Sequence, residues 1–388
     1  MWFWVGLFGM NKKQLRDITF YIHRYIGLIV GLILVVIGLT GSLLVFEPEI
    51  EDFLVAQKFG HVVPQQTPVS IDEILATINS AIAKQTDLKI GSIVVPKDGT
   101  SAYEARLWNS ADKLTQVFID PYTGKAMGSI KEDSNILQLA LHLHYELLAG
   151  KPGQIIAGVT GLLLFFLSVT GIILWPGWRK LIAGFKIKWN AHPKRVNFDI
   201  HKLIGIIVAV FFALTGFTGF CWNFYDYSVP VIYAATFTPQ PPELASQPIP
   251  GQSPLPLSQV LQAADAAIPN AQTTYIGIPD KPDKIIRVGK RQAHETSPYG
   301  ESEVTLDQYT GKVLRVADSR SLALGDRFLN SFAPLHYGTY WGAYSRILYV
   351  LVGLSPSIMF VTGLVMWWYR RRVKAENVVD NLDVLQRH

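Results

Sequence analysis

The chain of 388 residues has one cysteine, Cys221. Neither a disulfide framework nor a thiolate metal site can be assembled from it, and at the end of an apolar run it reads as a small buried apolar residue. Charge is also scarce. Asp, Glu, Lys and Arg make up 17% of the chain against 49% hydrophobic residues, with a mean hydropathy of +0.23, which argues against an ordinary soluble domain and for a membrane protein. No G-x-G-x-x-G follows a strand-like run, and no Walker-type phosphate loop is present. A C-x-x-C-H attachment motif is missing too, so the chain is expected to carry neither its own nicotinamide nor covalent haem, and no motif supports a Ser-His-Asp hydrolase.

Four apolar runs, 26–46, 155–175, 203–222 and 347–368, each suffice at about 1.5 Å per residue to cross a hydrocarbon core of about 30 Å. Cations cluster in three places: Lys12, Lys13 and Arg16 before the first run, a set from Arg179 to Arg195 between the second and third, and Arg370 to Lys374 after the fourth. Short cytoplasmic segments are enriched in Lys and Arg, so all three are expected inside, with both termini. Trp175, Trp178, Trp367 and Trp368 then mark inner interfaces, and Trp222, Tyr225, Tyr337 and Trp341 the outer one. The net charge of +5 is thereby explained without nucleic acid. The opening "MWFWVGLFGM" is too short to span and lacks a signal-peptide pattern; a start at Met10 would give the more ordinary "MNKKQLRD".

Between the runs the texture changes twice. Residues 47–136 and 225–320 are polar and rich in Pro, Gly and Thr, and each has a helical stretch ("SIDEILATINSAIAK", "SQVLQAADAAI") followed by short strand-like runs. Asp120 and Asp307 open matching turns, "DPYTGK" and "DQYTGK". The duplication extends into the apolar runs. His23 lies 17 positions before Thr40 and His201 17 before Thr218, while His144 lies 26 before Thr170 and His336 26 before Thr362. Four histidines thus occupy repeat-equivalent places.

These stretches resemble the PepSY-associated transmembrane proteins. The residues that carry the likeness are "HRYIGLIVGLILVVIGLTGSLLVF", "LHYELLAGKPGQIIAGVTGLLLFFLSVTGIILW", "DIHKLIGIIVAVFFALTGFTGF" and "LHYGTYWGAYSRILYVLVGLSPSIMFVTGLVMWWYRRR", with the two Asp-x-Tyr-Thr-Gly-Lys turns. The family includes iron-regulated inner-membrane siderophore reductases carrying b-type haem. The resemblance implies an α-helical integral membrane protein of four transmembrane helices in two internal repeats, each with a periplasmic α+β PepSY-like domain. The corresponding division is a cytoplasmic segment 1–22, a first span 23–46, a periplasmic domain 47–136, and an interfacial helix plus second span 137–175. A basic cytoplasmic loop 176–200, a third span 201–224, a second periplasmic domain 225–330, an interfacial segment plus fourth span 331–369 and a cytoplasmic tail 370–388 complete it.

Read as residues, a rim histidine on a membrane helix is often only an interfacial hydrogen-bonding group. Four at equivalent positions fit a cofactor role better, because ionisable groups in such helices face the bundle interior and neutral imidazole is a common axial haem ligand. Topology pairs His23 with His201 at the inner face and His144 with His336 at the outer face, which makes these four the expected ligands to the iron of two haems b. His142 is a weaker candidate. Arg24, Lys202, Lys151 and Arg346 are candidate propionate contacts, or else membrane-interface anchors. Gly27, Gly41, Gly158, Gly171, Gly205 and Gly219 would permit close approach of helices or a macrocycle. His61, His192, His294 and His388 read as solvated.

The expected function is reduction of a periplasmic Fe(III)-siderophore to release Fe(II), with electrons from a cytoplasmic reductase or quinol, in the bacterial inner membrane. A haem-free binding or sensory protein and a siderophore permease stand as alternatives.

Overall fold

The computed structural model describes residues 11–83, 85 and 87–386, with side chains through Arg372. The apolar opening, the alternative start at Met10 and His388 lie outside the described residues.

Four helices are long and apolar enough to cross a membrane: α1 (Lys12–Leu44), α5 (Gly150–Leu174), α7 (Pro193–Asn223) and α12 (Ala343–Gln386), the last over its first 30 residues. α1 starts well before the expected 23. Asn11 accepts from the Gln14 amide at 2.9 Å and the Gln14 side chain accepts from the Asn11 amide at 2.9 Å, a reciprocal cap that sets the first turn in the polar sequence ahead of the apolar run. α12 likewise continues as helix through the segment expected to be a tail. The helices pack at two glycine crossings. A Cβ on Gly161 would lie 2.8 Å from the Gly216 carbonyl oxygen, and one on Gly38 2.3 Å from that of Gly353, so α5 meets α7 and α1 meets α12 backbone to backbone.

Between α1 and α5 run α2 (Glu47–Phe59), α3 (Ile71–Ile82), strands β1 (Lys89–Val94), β2 (Tyr103–Trp108), β3 (Leu114–Ile119) and β4 (Ala126–Lys131), and the short helix α4 (Ile136–Glu146). After α5 comes the single-turn α6 (Leu181–Phe185). Between α7 and α12 the order returns: α8 (Tyr225–Ala235), α9 (Leu257–Ala267), β5 (Gln272–Gly277), β6 (Ile286–Arg291), β7 (Ser302–Leu306), β8 (Val313–Ala317), α10 (Leu324–Asn330) and α11 (Phe332–Tyr337). α4 and α5 are separate helices, because Leu147 and Leu148 turn left-handed at φ 53° and 57° and Gly150 at φ 57°. At each Asp-x-Tyr-Thr-Gly-Lys turn the aspartate accepts two amides, those of Tyr122 and Thr123 on Asp120 and of Tyr309 and Thr310 on Asp307, and a glycine takes the positive φ, 66° at Gly124 and 68° at Gly311.

The sequence suggests two small sheets, one per polar domain. The structure instead has one antiparallel sheet of eight strands in the order β4-β3-β2-β1-β5-β6-β7-β8. The seam is β1 against β5, with Ser92 opposite Gly277, Ile93 opposite Ile276 and Val94 opposite Tyr275. Either four-stranded sheet alone would leave that edge with unpaired amides and carbonyls, and joining the edges satisfies both. α3 and α9 supply Ile74, Ile78, Val260 and Ala264 to one core shared with Ile93, Leu107, Ile276 and Val288. Arg346 of α12 ties the bundle to α2 and the end of α1: it grips both Glu49 oxygens at 2.6 Å and donates to the Val45 carbonyl.

Candidate functional site: two facing histidine pairs

The rings of His23 and His201 face one another with centroids 6.3 Å apart and planes at 87°. Those of His144 and His336 are 5.9 Å apart at 88°. The first pair comes from α1 and α7, the second from α4 and α11, so each pair takes one ring from each half of the chain.

The surrounding hydrogen bonds fix which nitrogen carries the proton. His23 Nδ1 lies 2.9 Å from Thr170 Oγ1, His201 Nδ1 2.8 Å from Thr362 Oγ1, and His336 Nδ1 2.7 Å from Thr218 Oγ1. Each of these hydroxyls donates its proton to a carbonyl one turn back on its own helix, Phe166, Ile358 and Leu214 respectively, and has only lone pairs to offer the ring. Nδ1 is therefore the donor. His144 Nδ1 is 2.9 Å from the Ile37 carbonyl, which can only accept, with Thr40 Oγ1 a second partner at 3.3 Å. All four rings thus keep an unprotonated Nε2, the form in which imidazole binds a metal.

The glycine after each threonine completes the pocket. A Cβ on Gly41 would sit 2.8 Å from His144 Cε1, on Gly171 3.3 Å from His23 Cε1, on Gly219 3.4 Å from His336 Cε1, and on Gly363 3.8 Å from His201 Cε1. Each Thr-Gly pair therefore supplies a hydrogen-bond acceptor and clearance for one ring. The sequence shows these dipeptides at fixed distances from the histidines, but the spacing alone gives the threonines no role.

The geometry suits a flat iron macrocycle between each pair. Two axial imidazoles bonded at about 2 Å, each with its ring centre about 1 Å behind the nitrogen, stand about 6 Å apart by centroid. Arg24, next to His23, is packed by its guanidinium against the rings of Phe20, Tyr21 and Tyr25, and its buried Nε has no hydrogen-bond partner among the described residues. It is the candidate cation left with a buried donor to spare.

The other expected contacts are taken. Lys202 pairs with Asp199 at 2.7 Å and donates to the carbonyls of Ala183 and Lys186 at 2.6 and 3.0 Å, which uses all three of its protons. Arg346 is committed to Glu49 and Val45 as described, and its guanidinium also covers Phe46. Lys151 stands exposed and donates to Gln154 on its own helix. His142 is turned away from the outer pair and held by Glu146 and Glu132. Of the remaining histidines, His61 is exposed, His192 accepts from the Lys194 amide at the start of α7, and His294 contacts Ser319.

Residues 20–370 match the family described as PepSY-associated TM region. The chain belongs to that family. A relative in Pseudomonas aeruginosa, named as the uncharacterized protein PA4219, is 24% identical over 260 residues, covering 61% of this chain and 64% of the relative. The match thus reaches slightly less than two thirds of that relative's length. All four paired histidines and their threonines fall inside the family match.

Proposed function

We propose that the chain holds two b-type haems, one in each histidine pair, and passes electrons across the bacterial inner membrane to an Fe(III)-siderophore in the periplasm. The observation that carries this reading is the pairing itself: four rings from equivalent places, in pairs with centroids 6.3 and 5.9 Å apart, each with Nδ1 anchored by a hydrogen bond. Haem supplies reversible one-electron transfer. The residues of this chain do the rest. The four Thr-Gly pairs hold the rings in register and keep the Nδ1 proton, Arg24 meets an inner propionate, and the protein around the rings excludes water.

His23 and Thr40 lie 17 residues apart on α1; since Thr40 contacts His144, the two levels are about 25 Å apart along the helix. The macrocycles bridge part of that distance. The helix ends that carry the His23 and His201 pair also carry the basic segments, with Arg370 of α12 over Phe20 of α1 at 4.5 Å. The positive-inside rule then puts this pair at the cytoplasmic face and the eight-stranded sheet outside. A separate cytoplasmic reductase or quinol is the electron donor.

At the outer level Trp222 lies against His336 at 5.0 Å and against Tyr337 at 5.6 Å, an apolar wall beside the last ring before the acceptor. Each iron in the acceptor gains one electron and passes from Fe(III) to Fe(II). The hard oxygen donors of a siderophore hold the ferric ion much more strongly than the ferrous ion, so reduction releases it.

The test has three parts. Purified protein should contain two haems b per chain with a low-spin spectrum, and His23→Ala and His201→Ala should lose or convert the same haem. Dithionite-reduced protein mixed anaerobically with a ferric hydroxamate or catecholate and a ferrous chelator should reoxidise as the ferrous complex forms, more slowly in His336→Ala. A colourless preparation from haem-replete cells would overturn the haem assignment. Reoxidation no faster than in buffer would leave an electron carrier with another acceptor.

A further inference from the structure

The ends of α7 and α12 that carry the basic segments enclose a cleft outside the histidine pairs. It measures about 410 Å³ and is lined by His192, Lys194, Arg195 and Phe198 at the start of α7 and by Met366 and Arg370 of α12. The two helices are joined beside it by Asn197, whose Nδ2 donates to the Thr362 carbonyl at 2.8 Å. Thr362 is the residue whose hydroxyl anchors His201 Nδ1.

Every polar side chain in this lining is a donor. Lys194, Arg195 and Arg370 can only donate. His192 Nδ1 accepts from the Lys194 amide at 3.2 Å, so the neutral ring keeps its proton on Nε2 and offers a donor as well. No carboxylate lines the cleft. Among the described residues neither Lys194 nor Arg370 forms an ion pair; Arg370 lies over the Phe20 ring at 4.5 Å, which positions the guanidinium without using its N–H groups. Arg195 donates through Nε to Asp199 Oδ2 at 3.1 Å, but Asp199 also pairs with Lys202 at 2.7 Å, so the terminal nitrogens of Arg195 are left to other partners. Three cations gathered without an anion repel one another, and an acceptor-only, negatively charged ligand relieves that repulsion.

Two further features identify the anion. Phe198, 37% exposed, and Met366 give the cleft an apolar side that a free phosphate would leave in water. Trp367 and Trp368 lie on α12 between Met366 and Arg370, with the guanidiniums of Arg371 and Arg372 over their rings at 4.4 and 4.6 Å, a grouping that belongs at the headgroup level of a bilayer. We infer that an anionic phospholipid binds in this cleft, its phosphate held by Lys194, Arg195 and Arg370 and its acylated glycerol against Phe198 and Met366, so that it bridges α7 and α12 beside the His201 anchor. Basic recesses between spanning helices suit anionic headgroups in this way. The tryptophans set the interface level whichever way the chain is inserted, and the site needs neither haem nor electrons.

Phosphatidylglycerol and phosphatidylcholine are the probes, titrated into the full chain purified in neutral detergent. Native mass spectrometry should retain one phosphatidylglycerol per chain and no phosphatidylcholine, and the unfolding midpoint should rise with the first lipid alone. Lys194→Gln/Arg370→Gln should weaken phosphatidylglycerol binding about 25-fold, at about five-fold per cation. Arg179→Gln/Lys180→Gln removes two cations of the same basic loop outside the cleft and should leave binding unchanged. The lipid-free midpoint reports whether each variant is folded. Equal losses in the two double variants would reduce the effect to general surface charge and overturn the site, as would the absence of saturable retention. Protection by inorganic phosphate that equals that by phosphatidylglycerol, and that Phe198→Ala leaves intact, would overturn the lipid in favour of a soluble anion. Retention that disappears in haem-loaded protein would assign the cations to a propionate and overturn it too. Colourless protein that retains the lipid would refute the proposed redox function and keep the site.

Discussion

The imidazole planes of His144 and His336 stand at 88° to one another, and those of His23 and His201 at 87°. The orientation is held from outside the pair, by Ile37 and Thr40 on one side and Thr218 on the other at the outer level. Perpendicular axial planes leave the iron d orbitals that engage the rings nearly degenerate, whereas parallel planes split them. With a haem in each pair as proposed, oxidised protein is therefore expected to give a highly anisotropic low-spin EPR signal with one dominant low-field feature at both levels. A rhombic spectrum with three resolved features would show that the rings rotate toward parallel when haem binds.

Removing the threonine acceptors should have unequal effects. Thr218 Oγ1 lies 2.7 Å from His336 Nδ1, whereas Thr40 Oγ1 lies 3.3 Å from His144 Nδ1, which is closer, at 2.9 Å, to the Ile37 carbonyl. Thr218→Val should lower haem retention by about 10- to 100-fold at the outer level, the range for losing an outer-shell partner, and Thr40→Val much less. Haem content of the two variants after detergent washing checks this. Equal losses would mean that the hydroxyls act through helix packing.

The glycines give a graded series. Gly41→Ala brings a methyl within 2.8 Å of His144 Cε1, whereas Gly363→Ala makes an ordinary 3.8 Å contact with His201 Cε1. The first should cost about 1–3 kcal/mol of stability through overpacking and displace the haem proposed for the outer pair. The second should be near neutral. Thermal unfolding and the haem difference spectrum of the pair decide it.

Stability should respond to pH through Glu51. This carboxyl in α2 accepts from Gln116 and is pushed up to about 8, first by burial and then by the neighbouring Glu104 carboxylate. The folded protein therefore holds a proton there that the unfolded chain releases near pH 4.5. Stability attributable to this group is full below that value and falls as pH rises toward 8. Glu51→Gln should flatten the decline, measured as the unfolding midpoint across that range in detergent. An unchanged slope would place the titration elsewhere.

The spans and the histidine pairing are legible in the sequence because they depend on periodicity and on a spacing repeated twice. Composition alone marks the four apolar helices, and subtraction of residue numbers selects His23, His144, His201 and His336. The roles of Lys202 and Arg346 are not legible in that way. Each has a nearby cation signature that suits an anion, and each is occupied by a carboxylate whose position the fold decides: Asp199 three residues away for Lys202, and Glu49 far off in sequence for Arg346. The Asp199 and Lys202 spacing is a usable helical clue; nothing local announces Glu49. The joining of the two sheets is equally hidden, because pairing β1 with β5 is a choice between edges nearly two hundred residues apart, and strand patterns reveal which face is apolar but not which edge is taken.

That seam bears on the origin of the chain. Each half contributes one ring to each pair and one open edge to the sheet. A polypeptide comprising a single half would be deficient in both respects, and a second copy turned about a two-fold axis would remedy both at once. The present chain has the form of such a homodimer covalently joined, and its halves are free to diverge: Gly41 and Gly219 occupy corresponding positions, yet a Cβ would come within 2.8 Å of His144 Cε1 at the first and 3.4 Å of His336 Cε1 at the second.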